Sequence, residues 1–127
     1  MAHIKIIDDD VEIAENLSVV LEKEGFSVSI RDNTEGAIKD LIQDKPDLLI
    51  LDVMFPENPA GGFDLARELR ESDILADLPV LLLTSINQEL PMDFSAGDID
   101  KDWIPVQDLV EKPVAIPDLL EKIQKLL

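Results

Sequence analysis

The sequence contains no cysteine and no tyrosine, and it has only one histidine and one tryptophan. Because no thiol is present, disulfide bonds and zinc-thiolate sites are excluded. Basic residues are also scarce, since 11 Lys and Arg stand against 28 Asp and Glu, for a formal net charge of −17. A nucleic-acid-binding surface needs clustered Lys and Arg, so we expect no nucleic-acid partner.

Long apolar stretches are missing as well. No apolar run approaches the roughly 20 residues that a membrane-spanning helix needs. The first residues, MAHIKII, do not have the pattern of a secretory signal. We therefore expect a cytoplasmic protein with no membrane partner. The chain has 127 residues, of which 46% are hydrophobic, and this predicts one folded domain over residues 1–127.

The apolar residues alternate between two periods along the chain. Short apolar runs typical of strands occur at Ile4–Ile7, Phe26–Ile30, Leu48–Leu51, Val80–Leu83 and Leu109–Val110. Helical spacing separates the runs, with apolar stripes that start near Ile13, Ala37, Leu65 and Leu119. Strands that alternate with helices predict a parallel sheet covered on both faces. The third and fourth runs are continuous and suit central positions, whereas the second alternates with serines and suits an edge. The flavodoxin-like order 2-1-3-4-5 satisfies both requirements.

Local signals predict where several helices begin and end. Gly25 is typical of a residue that ends a helix, and Asn33 or Thr34 is suited to cap the second helix. Asp8 or Asp10 is suited to cap the first helix, where acidic residues are favourable. The segment 86–107 contains two prolines and one glycine. We expect a helix within it, but the weak periodicity does not define its ends.

Acidic residues follow two strands of the predicted sheet. Asp8 and Asp9 end the first strand, and Asp52 ends the third. In an open parallel sheet, ligands bind outside the carboxyl ends of the strands, where the strand order reverses. Three carboxylates that meet at one point repel one another unless a cation lies among them. Hard oxygen ligands of this kind predict a Mg²⁺ site, with Mn²⁺ as the other candidate ion.

The same edge of the sheet receives two further polar groups. Thr84 ends the fourth strand with a hydroxyl, and Lys112 follows the fifth strand with an ammonium group. A cation, a lysine and a hydroxyl around one carboxylate suit a phosphoryl group. Asp52 is then the predicted nucleophile, which takes the phosphoryl group as an aspartyl phosphate. Two plainer interpretations stay open, in which Thr84 is an ordinary strand residue and Lys112 is a surface charge.

The order of these motifs resembles the receiver domain of two-component response regulators. The resemblance extends over essentially the whole chain, through IKIIDDD, LLILDVMFP, VLLLTS and VEKPV. It implies a flavodoxin-like (βα)5 fold and identifies Asp52 as the phosphoacceptor. It also implies that Asp9 is the main metal ligand, that Asp8 assists through water, and that Met54 contributes its backbone carbonyl.

The resemblance further implies roles at the fourth and fifth strands. Thr84 matches the switch hydroxyl, and Lys112 matches the phosphate-binding lysine, with a candidate cis peptide before Pro113. The family pattern is not complete, because Leu109 stands where an aromatic residue is usual. The segment between Thr84 and Lys112 is also longer than usual, and its Trp103 is interpreted as a packed anchor or as a partner contact.

Because the chain ends with the predicted fifth helix, we expect a stand-alone receiver, either a monomer or a weak dimer, and the resemblance implies its partners. A sensor histidine kinase or a phosphotransfer protein would supply the phosphoryl group, and an unidentified downstream protein would receive the signal by contact. No enzymatic activity is expected beyond self-phosphorylation and autodephosphorylation. Met54 and Ile86 are bulky and apolar at positions that flank the attacking water in receivers, which predicts slow loss of the phosphoryl group.

Other functions are compatible with parts of the sequence. Leu109 and the long 86–107 segment favour an interaction module that keeps the receiver fold and does not depend on phosphorylation. Haloacid-dehalogenase-type phosphatases need a second acid two residues after the nucleophile, where this chain has Met54. A flavodoxin needs a Ser/Thr/Gly-rich phosphate loop after the first strand, where this chain has DDDVEIAEN. The two enzyme-like folds are therefore disfavoured.

Overall fold

The computed structural model describes residues 2–53, 61–84, 108–111 and 114–127, and for residues 63, 84, 108, 109 and 111 it describes only the backbone. The strands are β1 (His3–Ile7), β2 (Ser27–Arg31), β3 (Leu48–Asp52), β4 (Val80–Thr84) and β5 (Asp108–Glu111). Numbered in order along the described residues, the helices are α1 (Val11–Lys23), α2 (Ala37–Gln43), α3 (Gly61–Glu71) and α4 (Ile116–Leu126). All strand pairs are parallel, in the order β2-β1-β3-β4-β5. The predicted fold and strand order are confirmed.

Strand β3 lies at the centre of the sheet and is buried along its whole length. Because successive side chains of a strand point to opposite faces, its residues divide between two hydrophobic clusters. Leu48 and Ile50 pack in the cluster that includes α1 and α4, whereas Leu49 and Leu51 pack in the cluster that includes α2 and α3. A continuous apolar run is therefore required at this position, since both faces of the strand are covered.

Two helix ends test the local sequence signals. Gly25 follows α1 with a φ of +96°, a left-handed backbone conformation that residues other than glycine rarely adopt. Its N–H donates to the carbonyl of Glu22 at 3.0 Å. The prediction that the first helix stops here is confirmed. At the last helix, Pro117 lies in the first turn, where its missing N–H leaves no intrahelical bond unmade.

The prediction for the start of the second helix is wrong. Neither Asn33 nor Thr34 caps α2, because the helix begins at Ala37 and its N-cap is Gly36, with a φ of +71° and no side-chain cap. Instead, the carbonyl of Thr34 accepts from the Ala37 N–H at 3.1 Å. The Arg31 guanidinium donates to the carbonyl of Glu35, so contacts from the sheet shape the connection. Gly36 then admits the left-handed turn that leads into the helix.

A charged side chain of β1 lies under α2. The side chain of Lys5 is only 13% exposed, and its Nζ lies 2.9 Å from Oδ2 of Asp40. Arg31 of β2 lies 3.7 Å from the same oxygen. The hydrogen bond from Lys5, together with the positive charges of Lys5 and Arg31, holds the pKa of Asp40 below its usual range, against the opposing effect of burial. The ion pair between Lys5 and Asp40 joins β1 to α2.

We expect Asp40→Asn to lower the free energy of unfolding at neutral pH by about 0.5–1 kcal/mol, the range of partly exposed ion pairs. Since the folded-state pKa of Asp40 lies below the unfolded value of about 3.9, its contribution is present above that value and disappears as pH falls through the folded-state pKa. Urea unfolding of both proteins should therefore show a difference at pH 7 that shrinks below about pH 4. The exposed Asp73→Asn is the control for charge. A difference that does not change with pH would contradict the assignment.

Some predictions fall outside the residues that the structure describes. The helix expected within 86–107 is one of them, and so is the interpretation of Trp103. The predicted strand at Leu109–Val110 lies inside β5. Among the described residues, none of the helices combines the length and the apolar character needed to cross a bilayer.

Candidate functional site

Two buried carboxylates lie side by side at the carboxyl edge of the sheet. Asp52 is the last residue of β3 and is 4% exposed, and Asp8 directly follows β1 and is fully buried. The parallel register pairs Ile7 with Leu51, so the next residue of each strand reaches the same level. These are the two buried charged residues in the described part of the chain. The order of the strands therefore produces a local concentration of negative charge.

Asp9 completes a group of three acids. It is exposed, unlike the other two, and one carboxylate oxygen from each of Asp8, Asp9 and Asp52 lies within 4.8 Å of the others. An octahedral Mg²⁺ with bonds of about 2.1 Å separates opposite ligand oxygens by about 4.2 Å. The three oxygens thus need only a small side-chain adjustment to share one ion or its bound water. Their chemistry also fits, because carboxylates are the hard ligands that Mg²⁺ prefers.

The start of α1 holds Asp8 in place. The backbone N–H of Asp10 donates to Oδ1 of Asp8 at 2.9 Å. Asp10 in turn is the N-cap of α1, and its own carboxylate accepts from the Ile13 N–H at 3.2 Å. Of the two predicted capping residues, Asp10 is confirmed and Asp8 is wrong, because the carboxylate of Asp8 turns to the sheet edge. The helix cap and the acidic site therefore depend on one short turn.

The remaining predicted site residues are described in part or not at all. The backbone of Thr84 ends β4 beside β3, since Leu83 pairs with Asp52, and Thr84 itself pairs with Glu111 of β5. This position brings the end of β4 to the same edge of the sheet. Met54, Lys112 and Pro113 lie outside the described residues. The predicted roles of their side chains and backbone stay predictions.

Sequence reasoning did not predict the close contact between α3 and the backbone of Asp52. The N–H of Gly62, in the first turn of α3, donates to the carbonyl of Val53 at 2.8 Å. A Cβ atom at this position would overlap the carbonyl oxygen of Asp52 and would lie 2.7 Å from Cα of Val53. One sequence signal for this contact is a glycine inside a helix, which propensity disfavours.

Comparison with known families identifies the chain. The family model of the response regulator receiver domain matches residues 4–124. This protein belongs to the response regulator receiver domain family. The match includes the three clustered acids and all the strands that frame them except the first residue of β1. The receiver is a domain of two-component signalling systems, so the site is interpreted as part of a signalling module.

Curated relatives are longer than this chain. It is 30% identical over 124 residues to the phosphate regulon transcriptional regulatory protein PhoB of Pseudomonas aeruginosa, covering 98% of this chain and 51% of that protein. It is 33% identical over 130 residues to the DNA-binding dual master transcriptional regulator RpaA of Synechocystis, covering 100% and 49%. The chain thus spans about half the length of the curated relatives it matches.

Solved structures agree with the fold. The response regulator TrrA of Thermotoga maritima, solved in complex with Mg(2+)-BeF, is 29% identical, has a TM-score of 0.80 and covers 100% of both chains. The chemotaxis protein CheY4 of Vibrio cholerae has a TM-score of 0.83 and covers 100% of this chain and 99% of its own. At 22% identity, the second likeness supports the receiver fold alone.

Proposed function

We propose that Asp52 of this receiver domain accepts a phosphoryl group, with a divalent cation held by Asp8, Asp9 and Asp52. The observation that carries the proposal is the group of three carboxylate oxygens within 4.8 Å of one another, centred on the end of the buried strand β3. The complex of the relative TrrA with Mg(2+)-BeF supports Mg²⁺ as the ion. Mn²⁺ has the same preference for oxygen ligands and is the second candidate.

In the proposed step, a carboxylate oxygen of Asp52 attacks the phosphorus atom of the donor. The new bond is an acyl phosphate O–P bond, and the bond between phosphorus and the donor's nitrogen or oxygen breaks, so that its electron pair stays on the donor atom as the donor leaves. A bound cation would neutralise charge on the phosphoryl oxygens. Strand β3 is packed on both faces. This packing limits the motion of Asp52 and so favours its attack on the donor.

Two residues at neighbouring strand ends would complete the site. We propose that Thr84 donates its hydroxyl to the phosphoryl group and that Lys112 pairs with the phosphoryl oxygens. The backbone position of Thr84 beside the end of β3 supports the first role. For Lys112 the support is its place in the sequence, directly after Glu111, which pairs with Thr84. Met54, two residues after Asp52, is proposed to supply a backbone carbonyl to the cation.

Membership of the family supports a proposal for the donor and for the output. A sensor histidine kinase or a phosphotransfer protein is the proposed donor, since receivers act in two-component systems. Phosphorylation adds about −1.5 to −2 charges at neutral pH, and the surface that responds would pass the signal on by contact with another protein. RpaA is named as a DNA-binding regulator, but it is about twice as long as this chain. DNA binding is therefore not part of the proposal.

The test is phosphorylation by acetyl phosphate, which replaces the protein donor. With Mg²⁺, we expect intact-mass spectrometry to show the gain of one phosphoryl group in wild type and none in Asp52→Asn, because the amide is not a nucleophile. With EDTA in place of Mg²⁺, the rate at which wild type is phosphorylated should fall by about 10²-fold or more, as expected on loss of an electrostatic catalyst.

Asp73→Asn serves as the matched control, since it removes the same charge from an exposed position in the α3–β4 connection. It should gain the phosphoryl group as wild type does. Equal labelling of wild type and Asp52→Asn would overturn the proposal. Failure of wild type to label at all would favour the receiver-fold interaction module that does not depend on phosphorylation.

A further inference from the structure

Gly62 has a contact with Asp52 that no other kind of residue can make. It is buried in the first turn of α3, and its N–H bonds to the carbonyl of Val53 at 2.8 Å. A Cβ atom would overlap the carbonyl oxygen of Asp52 and lie 2.9 Å from its carbonyl carbon. These neighbours are backbone atoms of a central strand, so no side-chain rotation relieves the overlap. Glycine is therefore required at this position because there is no room for a side chain.

Backbone conformation does not explain this glycine. Its φ lies outside the left-handed region that Gly25 and Gly36 occupy, so an alanine would adopt the same backbone angles. Helical positions also favour alanine over glycine. Helix propensity alone would therefore favour alanine over glycine at position 62. A conflict of this kind indicates that the surrounding structure requires glycine. Here that requirement comes from the peptide that carries Asp52.

We propose that Gly62 is the positioning residue for the Asp52 carboxylate. Its missing side chain lets the first turn of α3 close directly on the end of β3, and the bond from Gly62 to Val53 fixes the backbone just after the nucleophile. Any side chain would push this peptide away from α3. The carboxylate of Asp52 would then move relative to Asp8 and Asp9, whose positions are set separately by β1 and the α1 cap.

The proposal rests on the proposed function, because it assigns Gly62 to the same metal and phosphoryl site. It predicts a coupling between the Gly62 contact and cation binding. By thermodynamic reciprocity, a contact that favours binding of Mg²⁺ is itself favoured when Mg²⁺ binds. A residue that only stabilised the fold would lower stability without a specific effect on the ion. This difference separates a positioning role from a structural one.

The first experiment compares Gly62→Ala with Leu69→Ala. Leu69 is fully buried near the far end of α3, in the apolar cluster that this helix forms with β3 and β4, so its truncation weakens the packing of the helix without changing the close contact at Gly62. Both variants are studied at a temperature where circular dichroism shows them folded. We expect calorimetry with MgCl₂ to give a Kd raised at least about tenfold in Gly62→Ala, and labelling by acetyl phosphate to slow by about 10²-fold, as expected for a misplaced reacting group.

Leu69→Ala should bind Mg²⁺ and label as wild type does. If Gly62→Ala also keeps the wild-type Kd and labelling rate, the positioning role is overturned while Asp52 remains the acceptor. If wild type itself neither binds Mg²⁺ nor labels, the proposed function fails, and the positioning role fails with it. Mg²⁺ binding and labelling of wild type therefore show whether the proposed function or only the positioning role has failed.

A second measurement needs no variant and decides the question if Gly62→Ala does not fold. Hydrogen exchange is followed at two amides of wild type, that of Gly62 and that of Leu119, which bonds to the carbonyl of Ala115 in α4 at 3.0 Å. We expect MgCl₂ to slow exchange at Gly62 by a larger factor than at Leu119. Equal factors at the two amides would overturn the proposal.

Discussion

In EDTA, Asp52→Asn is expected to be more stable to unfolding than wild type. Without a cation, three carboxylate oxygens lie within 4.8 Å of one another, and two of the acids are buried. At an effective dielectric constant of about 20, two unit charges about 5 Å apart repel by about 3 kcal/mol. Exposure of Asp9 screens part of this repulsion, so we expect a gain of about 1–3 kcal/mol in the free energy of unfolding.

When Mg²⁺ is added, this difference in the free energy of unfolding should disappear or change sign. Wild type gains RT ln(1 + [Mg²⁺]/Kd), which is about 2.7 kcal/mol at 100 times Kd, because the ion binds the folded state. Asp52→Asn lacks one ligand and should gain much less. Urea unfolding of both proteins in EDTA and in MgCl₂ measures the two effects, with Asp73→Asn as the control for net charge. A less stable Asp52→Asn in EDTA, or an equal gain from Mg²⁺, would contradict the proposed cluster.

The second large effect is expected at Asp9. Asp9→Asn removes a carboxylate from the cluster and should raise the Kd for Mg²⁺ by at least about tenfold, since the electrostatic attraction of each anionic ligand is lost. It should also slow phosphoryl transfer from acetyl phosphate in proportion at low Mg²⁺. Isothermal titration calorimetry gives the Kd directly, and intact mass against time gives the rate.

The neighbouring residue offers a closely matched control. Asp10→Asn changes the net charge by the same amount, one residue away, but Asp10 lies outside the group of three acids. Asparagine caps helices as well as aspartate does, and the backbone N–H that holds Asp8 is unchanged. We therefore expect Asp10→Asn to bind Mg²⁺ as wild type does. Equal weakening by the two substitutions would mean that overall charge, and not ligation by Asp9, governs the affinity.

Much of the fold follows from the distribution of apolar residues. A run that is apolar on both faces must lie inside a covered sheet, so Leu48–Leu51 and Val80–Leu83 had to be central, as the structure confirms. The alternation with serines likewise predicts the edge position of β2. The meeting of Asp8 with Asp52 then follows from parallel pairing of β1 with β3, because strand ends in register share one edge.

Other features depend on contacts that no local pattern encodes. The start of α2 was predicted from the capping preference of Asn33 or Thr34, but the guanidinium of Arg31 binds the carbonyl of Glu35 and reshapes the connection. The burial of Lys5 is possible only because Asp40 reaches it from α2. The contact of Gly62 with the backbone of Asp52 requires the packing of α3 on β3. In each case tertiary structure overrides a local preference.

If Asp52 carries the phosphoryl group, fragmentation of the labelled protein locates the group on that residue. Wild type labelled by acetyl phosphate in MgCl₂ is digested under acidic conditions, and the modified peptide is fragmented in a mass spectrometer. We predict that the added phosphoryl mass maps to Asp52 and is missing from the same peptide of a sample prepared in EDTA. A phosphoryl group on any other residue, or one acquired equally without Mg²⁺, would mean that Asp52 is not a cation-dependent phosphoacceptor.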